Sequence, residues 1–195
     1  MVWGKNGTPH TLGSAGDTLQ ITDLTATKFN QFMIHTLTTA GTIKHNFRFD
    51  NNSNTDYSRT RSNNGAADSP DTNQPQIEYF GDGASDKFEI VYSCNTSGRE
   101  KLNIHCLANQ NAVGAANHSD RAEAVSKCDT TTNSGQYTRI DCFEDVSGQY
   151  DTGSNITGLG SEINVIANNF QDGAVYYDKQ LNKEYVLNNN TWKEL

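Results

Sequence analysis

The side chains of this chain that could do acid–base or nucleophilic chemistry include five histidines and four cysteines. None of the histidines lies in an HExxH motif, and no GxSxG or cysteine-nucleophile signature accompanies them. His45 falls on an apolar strand face, which predicts a hydrogen-bonded core or interface residue. His105 alternates with Leu102 and Ile104, which predicts an exposed side chain on the polar face of its strand.

Carboxylates could hydrolyse glycosidic bonds if the fold held two of them across a cleft. The candidates Glu78, Glu89 and Asp141 lie on predicted strands, and nothing in their surroundings distinguishes them. A glycosidase therefore stays as an alternative. No GxxxxGK or GxGxxG phosphate loop occurs, and the sequence predicts a protein that is not an enzyme and needs no cofactor.

Four oxygen-bearing side chains occupy alternate positions in an Asn-rich stretch: Asp50, Asn52, Asn54 and Asp56. This is the spacing of the first half of a calcium-binding loop. The second half does not follow, because Thr55 stands at the glycine position and Arg61 at the bidentate glutamate position. An Asn-rich turn explains the stretch better, so we predict no metal site and keep these residues as weak calcium candidates.

The four cysteines match no zinc-site spacing: Cys94, Cys106, Cys128 and Cys142. Cys128 and Cys142 flank the turn-rich segment DTTTNSG, so they could face each other across a hairpin and form a disulfide. Free thiols that act as small core hydrophobes are the other interpretation, and the sequence favours it.

Composition excludes several classes of partner. The formal net charge is -8, and the Lys and Arg residues are scattered, so we expect no binding to nucleic acid. No apolar run reaches the roughly 20 residues of a membrane span, and the start MVWGKNGTPH lacks the apolar region of a signal peptide. We therefore expect no membrane insertion and no secretory export.

Alternation and turn residues predict an all-β protein. We expect a hairpin of QFMIHTL and TIKHNFRF around TTAG, a second hairpin of KFEIVYSC and KLNIHCL, and strands at TRIDCF and INVIA. The stretch SDRAEAVSK is a helix candidate that Ser119 could cap, but its neighbours along the chain favour a strand. Residues 50–75 are predicted to be long surface loops apart from DYSRTR. The architecture that fits is an antiparallel β-sandwich or jelly roll over residues 1–162, followed by a small C-terminal β-meander over residues 163–195.

Two stretches resemble virion proteins. The C-terminal part has a Gly-x-x-Tyr-Tyr-Asp strand, an Asn-Lys turn and a Tyr-Val strand leading to a Trp, and it resembles a β module of tail-fibre-like proteins. Its positions here are Gly173, Tyr176, Tyr177, Asp178, Asn182, Lys183, Tyr185, Val186 and Trp192. The body, through KFNQFMIHTL, FRFDNNSNTDY, SGREKL, TRIDCF and SNITGLGSE, is similar to jelly-roll structural proteins of marine viruses, including viruses of archaea.

This resemblance implies a virion structural protein, either a capsid decoration or a tail-fibre and receptor-binding subunit. It would assemble in the host cytoplasm as a homo-oligomer with other virion proteins and end on the virion surface, where a host-surface glycan is a further candidate partner. Aromatic residues near the termini are our candidate interface anchors: Trp3, Tyr177 and Trp192. The alternative function is a carbohydrate-binding, lectin-like module that uses the loops of residues 50–75 with calcium and exposed aromatics such as Tyr57 and Tyr79.

Overall fold

The chain is built from β-strands. The computed structural model describes residues 3–38, 43–79, 85–110, 114, 118–129, 134–144, 149–161, 175–178, 183–188 and 191–195. Within these ranges all regular secondary structure is strand, and the paired strands run antiparallel. The predicted fold class, an antiparallel β-sandwich with a small C-terminal meander, is confirmed.

Nine strands form the larger sheet, which we call the large sheet. They are β1 (Gly4–Lys5), β2 (His10–Thr11), β4 (Phe29–Thr36), β6 (Tyr57–Asn63), β7 (Ser69–Gln74), β9 (Lys87–Cys94), β10 (Lys101–Asn109), β11 (Asp120–Cys128) and β13 (Asn155–Ser161). Their order across the sheet is β1-β13-β4-β9-β10-β11-β6-β7, with β2 also paired to β13. The predicted KFEIVYSC–KLNIHCL hairpin is β9 and β10, and the predicted strand at SDRAEAVSK is β11.

Four strands form the small sheet that covers one face of the large one. They are β3 (Thr18–Ile21), β5 (His45–Phe49), β8 (Ile77–Tyr79) and β12 (Ile140–Phe143), in the order β3-β12-β5-β8. The core between the sheets is filled by apolar side chains from both, among them Leu19, Phe47 and Ile140 from the small sheet and Phe32 and Val91 from the large sheet. All five are at most 1% exposed, so the sandwich has a closed interior.

The C-terminal meander is a separate three-stranded sheet. Its strands are β14 (Val175–Asp178), β15 (Lys183–Asn188) and β16 (Thr191–Glu194), each paired with the next. The predicted β-meander is confirmed, with three described strands and Trp192 on the last of them. The predicted INVIA strand and the predicted domain boundary at residue 162 lie outside the described residues, and that boundary stays a prediction.

The hairpin expected around TTAG does not form, because β4 belongs to the large sheet and β5 to the small sheet. The two strands face each other across the interior, where Thr36 Oγ1 lies 2.8 Å from His45 Nε2. The other side of β5 is also covered, since Asn46 there is fully buried. A strand in the middle of a covering sheet keeps fewer solvent-exposed positions than a strand at its edge.

The loop predicted for residues 50–75 contains the strand β7, which pairs with β6. Its sequence SPDTNQ looks like a loop because β7 is the last strand of the sheet order and most of its side chains are exposed. An edge strand also tolerates Pro70, since only one of its sides must donate to the ladder. Arg59 of β6 holds this edge by donating to Asp71 Oδ2 at 2.7 Å and 3.0 Å.

Candidate functional site

In β9 and β10, most of the inward side chains are polar and most of the outward side chains are apolar. In β10, Asn103 and His105 are at most 2% exposed, whereas Leu102 and Ile104 are 55% and 54% exposed. In the neighbouring β11, Val125 is 56% exposed. The expectation that His105 is solvent-exposed was therefore wrong. We call the side that carries Leu102, Ile104 and Val125 the outer face.

The inward polar side chains form a hydrogen-bond network around a buried carboxyl. Glu89 of β9 lies between two imidazoles, with His45 Nδ1 2.6 Å from one carboxyl oxygen and His105 Nδ1 2.9 Å from the other. The remaining ring nitrogens are also occupied, His45 Nε2 by Thr36 and His105 Nε2 by Ser126 Oγ at 2.9 Å. The prediction that His45 is a hydrogen-bonded core residue is confirmed.

Burial sets the protonation of this network. It raises the pKa of Glu89 well above 4.5, and it lowers the pKa of both histidines to about 3, with nearby positive groups adding to the effect. A neutral carboxyl donates one hydrogen bond and accepts another, so it satisfies one imidazole as donor and the other as acceptor. The network therefore joins the two sheets without a buried net charge.

Ser126, His105 and Glu89 follow each other in the order of a serine, histidine and acid triad. Ser126 is 6% exposed and the two other side chains are fully buried, so the three groups lie inside the sandwich. The hydroxyl instead receives a second hydrogen bond, from Asn103 Nδ2 at 3.2 Å. The arrangement fixes the sheets rather than presenting a nucleophile.

Of the two other glycosidase candidates, the structure describes the side chain of Asp141. Asp141 of β12 is 4% exposed and is held by Arg139, whose guanidinium donates to it at 2.7 Å. The side chain of Glu78 lies outside the described part of the structure.

A groove of about 730 Å³ crosses the outer face, and we call it the outer groove. Two rows of side chains run at right angles to the strands and form its walls. The first row follows the register Tyr92, Ile104, Val125, Thr60 and Pro70. The second row follows the register Phe29, Cys94, Leu102, Lys127 and Ser58.

The residues between these rows point inward, so the strand backbone forms the floor of the outer groove. Six neighbouring strands of the large sheet contribute to it: β4, β9, β10, β11, β6 and β7. Adjacent strands lie about 4.8 Å apart, so the groove is about 24 Å long. Its lining is predominantly apolar, with Trp3 among the lining residues and Lys127 as the charged group in the two rows. Such a surface can bury against another protein surface or stack on flat apolar ligands.

The three candidate anchors have different places in the structure. Trp3 is 37% exposed and lines the outer groove. Tyr177 is 49% exposed on β14 of the C-terminal sheet. The side chain of Trp192 lies outside the described part of the structure, and the anchor roles of all three stay predictions.

The calcium candidates are engaged by protein donors. Asp50 Oδ1 accepts from the backbone N–H groups of Thr138 and Arg139 at 2.9 Å and 3.0 Å, and Asp56 accepts from the Asn52 amide at 2.8 Å. Asn52 in turn accepts from the backbone N–H of Asn54, as in an Asx turn. Among the described residues, no group of three or more His, Cys, Asp or Glu side chains is arranged to hold a metal ion.

All four cysteines are free thiols. Cys128 and Cys142 do not form the disulfide left open by the sequence, because they lie on strands of different sheets, β11 and β12. Cys94 and Cys106 lie on the outer face, and Cys106 is exposed.

Tyr57 is not available to stack on a sugar. It is 1% exposed, and its hydroxyl accepts from the backbone N–H of Phe49 at 3.1 Å. The side chain of Tyr79 lies outside the described part of the structure. Three aromatic residues line the outer groove, Trp3, Phe29 and Tyr92. Of these, Trp3 was already a candidate anchor, whereas Phe29 and Tyr92 gave no signal because their sequence shows only the alternation of an ordinary strand.

Comparisons of the chain with protein-family models, with curated proteins and with solved structures found no match. In the part of the chain that the structure describes, no helix has the length and apolar character needed to cross a membrane.

Proposed function

We propose that this chain is a structural subunit that acts without catalysis and assembles with copies of itself through the outer face of the large sheet. The observation that carries the proposal is the apolar character of that face. Six large side chains there are between 37% and 56% exposed: Trp3, Phe88, Tyr92, Leu102, Ile104 and Val125.

The area of this surface is large for a monomer. At about 200 Å² for a large apolar side chain, these fractions correspond to about 600 Å² of exposed apolar surface. That is at the upper end of the largest patch on a typical monomer, and it approaches the roughly 800 Å² that each partner buries in a standard interface. A second copy supplies a surface of the same size and chemistry at equal concentration, which favours a homo-oligomer.

The resemblance of the body and of the C-terminal meander to virion proteins suggests that the assembly belongs to a virus particle. We propose a capsid decoration or a fibre and receptor-binding subunit, made in the host cytoplasm, held among other virion proteins and displayed on the virion surface. A closed sandwich with a separate β-meander suits this role, because one face can assemble while the loops and the C-terminal sheet stay available for contact with a host.

A carbohydrate-binding module is the second candidate. It is favoured by the position of Trp3, Phe29 and Tyr92 along the outer groove, since aromatic rings stack on sugar faces. Leu102 and Ile104 argue against it, because they offer no hydrogen bonds to the hydroxyl groups that a glycan would bring into the groove. Assembly therefore ranks first.

The test is the solution mass of the purified chain and of two matched valine variants. Val125 on the outer face and Val175 on β14 are 56% and 59% exposed, so each accepts an aspartate without disturbing a core. We expect light scattering to show a closed oligomer for the wild type and for Val175→Asp, and a monomer for Val125→Asp, because the new carboxylate would be buried unpaired in the interface.

A wild type that stays monomeric at high concentration would contradict the proposal. Glycan binding by that monomer, lost on Tyr92→Ala, would move the carbohydrate-binding module to first place, and loss of that binding in EDTA would add calcium to it. Dissociation by Val175→Asp instead of Val125→Asp would transfer assembly to the C-terminal sheet.

A further inference from the structure

We infer that two copies of the chain meet face to face across a two-fold axis that runs along the row of Tyr92, Ile104 and Val125, so that Lys127 of each copy contacts Glu123 of the other. This inference rests on the proposed assembly through the outer face and specifies its geometry. It follows from the positions of the two charged side chains on β11.

Lys127 and Glu123 lie on the outer face at equal distances from Val125, two residues towards either end of the strand. A two-fold axis perpendicular to the strands turns β11 of the partner end for end. The axis through Val125 therefore places each lysine opposite a glutamate. The angle of about 30° between packed sheets moves residues at this distance by a few ångströms, which a lysine side chain can span.

The same rotation pairs apolar with apolar residues elsewhere on the face. The cross-strand register puts Leu102 next to Lys127 and Cys106 next to Glu123, so the axis superposes Leu102 on Cys106. On the next strand, β9, the same axis superposes Cys94 on Ile90. The central row meets its own copy, and Tyr92, Ile104 and Val125 form the dry middle of the interface.

Other axes through this face give worse contacts. An axis parallel to the strands through β11 would place Lys127 against Lys127 and Glu123 against Glu123. An axis parallel to the strands through β10 would cover the same charges with Cys94 and Ile90 and leave both charges desolvated. Of these three axes, the perpendicular one satisfies the charges and the apolar rows together.

The charges are free to change partners at little cost. Lys127 now pairs with Glu100 at 2.7 Å, and Glu123 lies 3.8 Å from Arg121, with all four side chains between 43% and 67% exposed. Exposed pairs of this kind contribute little to stability. The new contacts between subunits can therefore form by exchange or by adding to these pairs.

A charge-swap series tests the arrangement. In a two-fold dimer, Lys127→Glu alone or Glu123→Lys alone creates two like-charge contacts, and the chain carrying both changes restores two opposite-charge contacts. We expect each single variant to raise the dimer dissociation constant at least about tenfold and the double variant to recover most of that loss, with smaller differences at high salt. Sedimentation equilibrium measures the constants, and thermal melting checks that each variant is folded.

A double variant that loses as much free energy of dimer association as the two single variants together would overturn the two-fold arrangement. If Val125→Asp still dissociated the oligomer in that case, assembly through the outer face would stand and only its geometry would fall. The exposed Cys106 gives an independent readout, because the arrangement covers it with Leu102 of the partner. Maleimide labelling of Cys106 that is equally fast in the wild-type oligomer and in the Val125→Asp monomer would also overturn the arrangement.

Discussion

Replacing Glu89 with glutamine tests whether the buried carboxyl is neutral. A glutamine has nearly the same shape, accepts through Oε1 and donates through Nε2, so it can serve both imidazoles as the protonated glutamate does. The variant therefore keeps the contacts to His45 and His105 at 2.6 Å and 2.9 Å. What it removes is the ability of the side chain to ionise when the chain unfolds.

The direction in which stability changes with pH follows from the raised pKa of Glu89. A carboxyl whose pKa is raised by folding stabilises the protein fully below its ordinary pKa of 4.5, and this contribution is lost as pH rises towards the folded pKa. Each pH unit is worth about 1.4 kcal/mol, so the wild type loses unfolding free energy as pH rises above about 4.5, up to the folded pKa, and Glu89→Gln does not lose it.

Urea unfolding near pH 5 and near pH 7 measures this difference, and the Val125→Asp background keeps assembly out of the measurement. We expect Glu89→Gln to be close to the parent near pH 5 and more stable than it near pH 7, with a difference that grows by up to about 1.4 kcal/mol per pH unit. Glu100→Gln is the matched control, because its half-exposed side chain is solvated in both states and the difference should not grow with pH. A Glu89→Gln variant that is strongly destabilised at every pH would refute the neutral network and indicate an ionised Glu89 paired with a charged histidine.

Two further predictions concern the interior. Burial lowers the pKa of His45 and of His105 to about 3, so their contribution to stability is full above the ordinary value of 6.5 and is lost as pH falls. In Glu89→Gln, where the opposite contribution of the carboxyl is removed, we expect the two protons taken up on unfolding to give a slope of about 2.7 kcal/mol per pH unit below that value, which urea titrations in the acid range measure. Gly158→Ala should lower the melting temperature markedly, because the added carbon would lie 2.5 Å from a backbone oxygen, whereas Gly13→Ala, with no heavy atom within 4 Å, should melt like the wild type.

Local sequence patterns were sufficient for the fold class and for the strands with clear alternation. The alternation of Leu102, Ile104 and Cys106 with polar residues, beside turn-forming segments, predicts the β9–β10 hairpin without any knowledge of distant residues. The same holds for the three strands of the C-terminal meander. A hairpin joins strands that are neighbours along the chain, so its information is contained in a short stretch.

Which face of the large sheet is buried could not be predicted, because alternation distinguishes two faces without saying which one meets the other sheet. The usual assignment puts Leu102 and Ile104 inside. The tertiary structure reverses it, because Glu89 finds His45 on the opposite sheet, 44 residues away along the chain, and His105 beside it. The outer groove and the absence of the expected TTAG hairpin follow from the same long-range pairing, since satisfying buried polar groups depends on partners that only the assembled sandwich brings together.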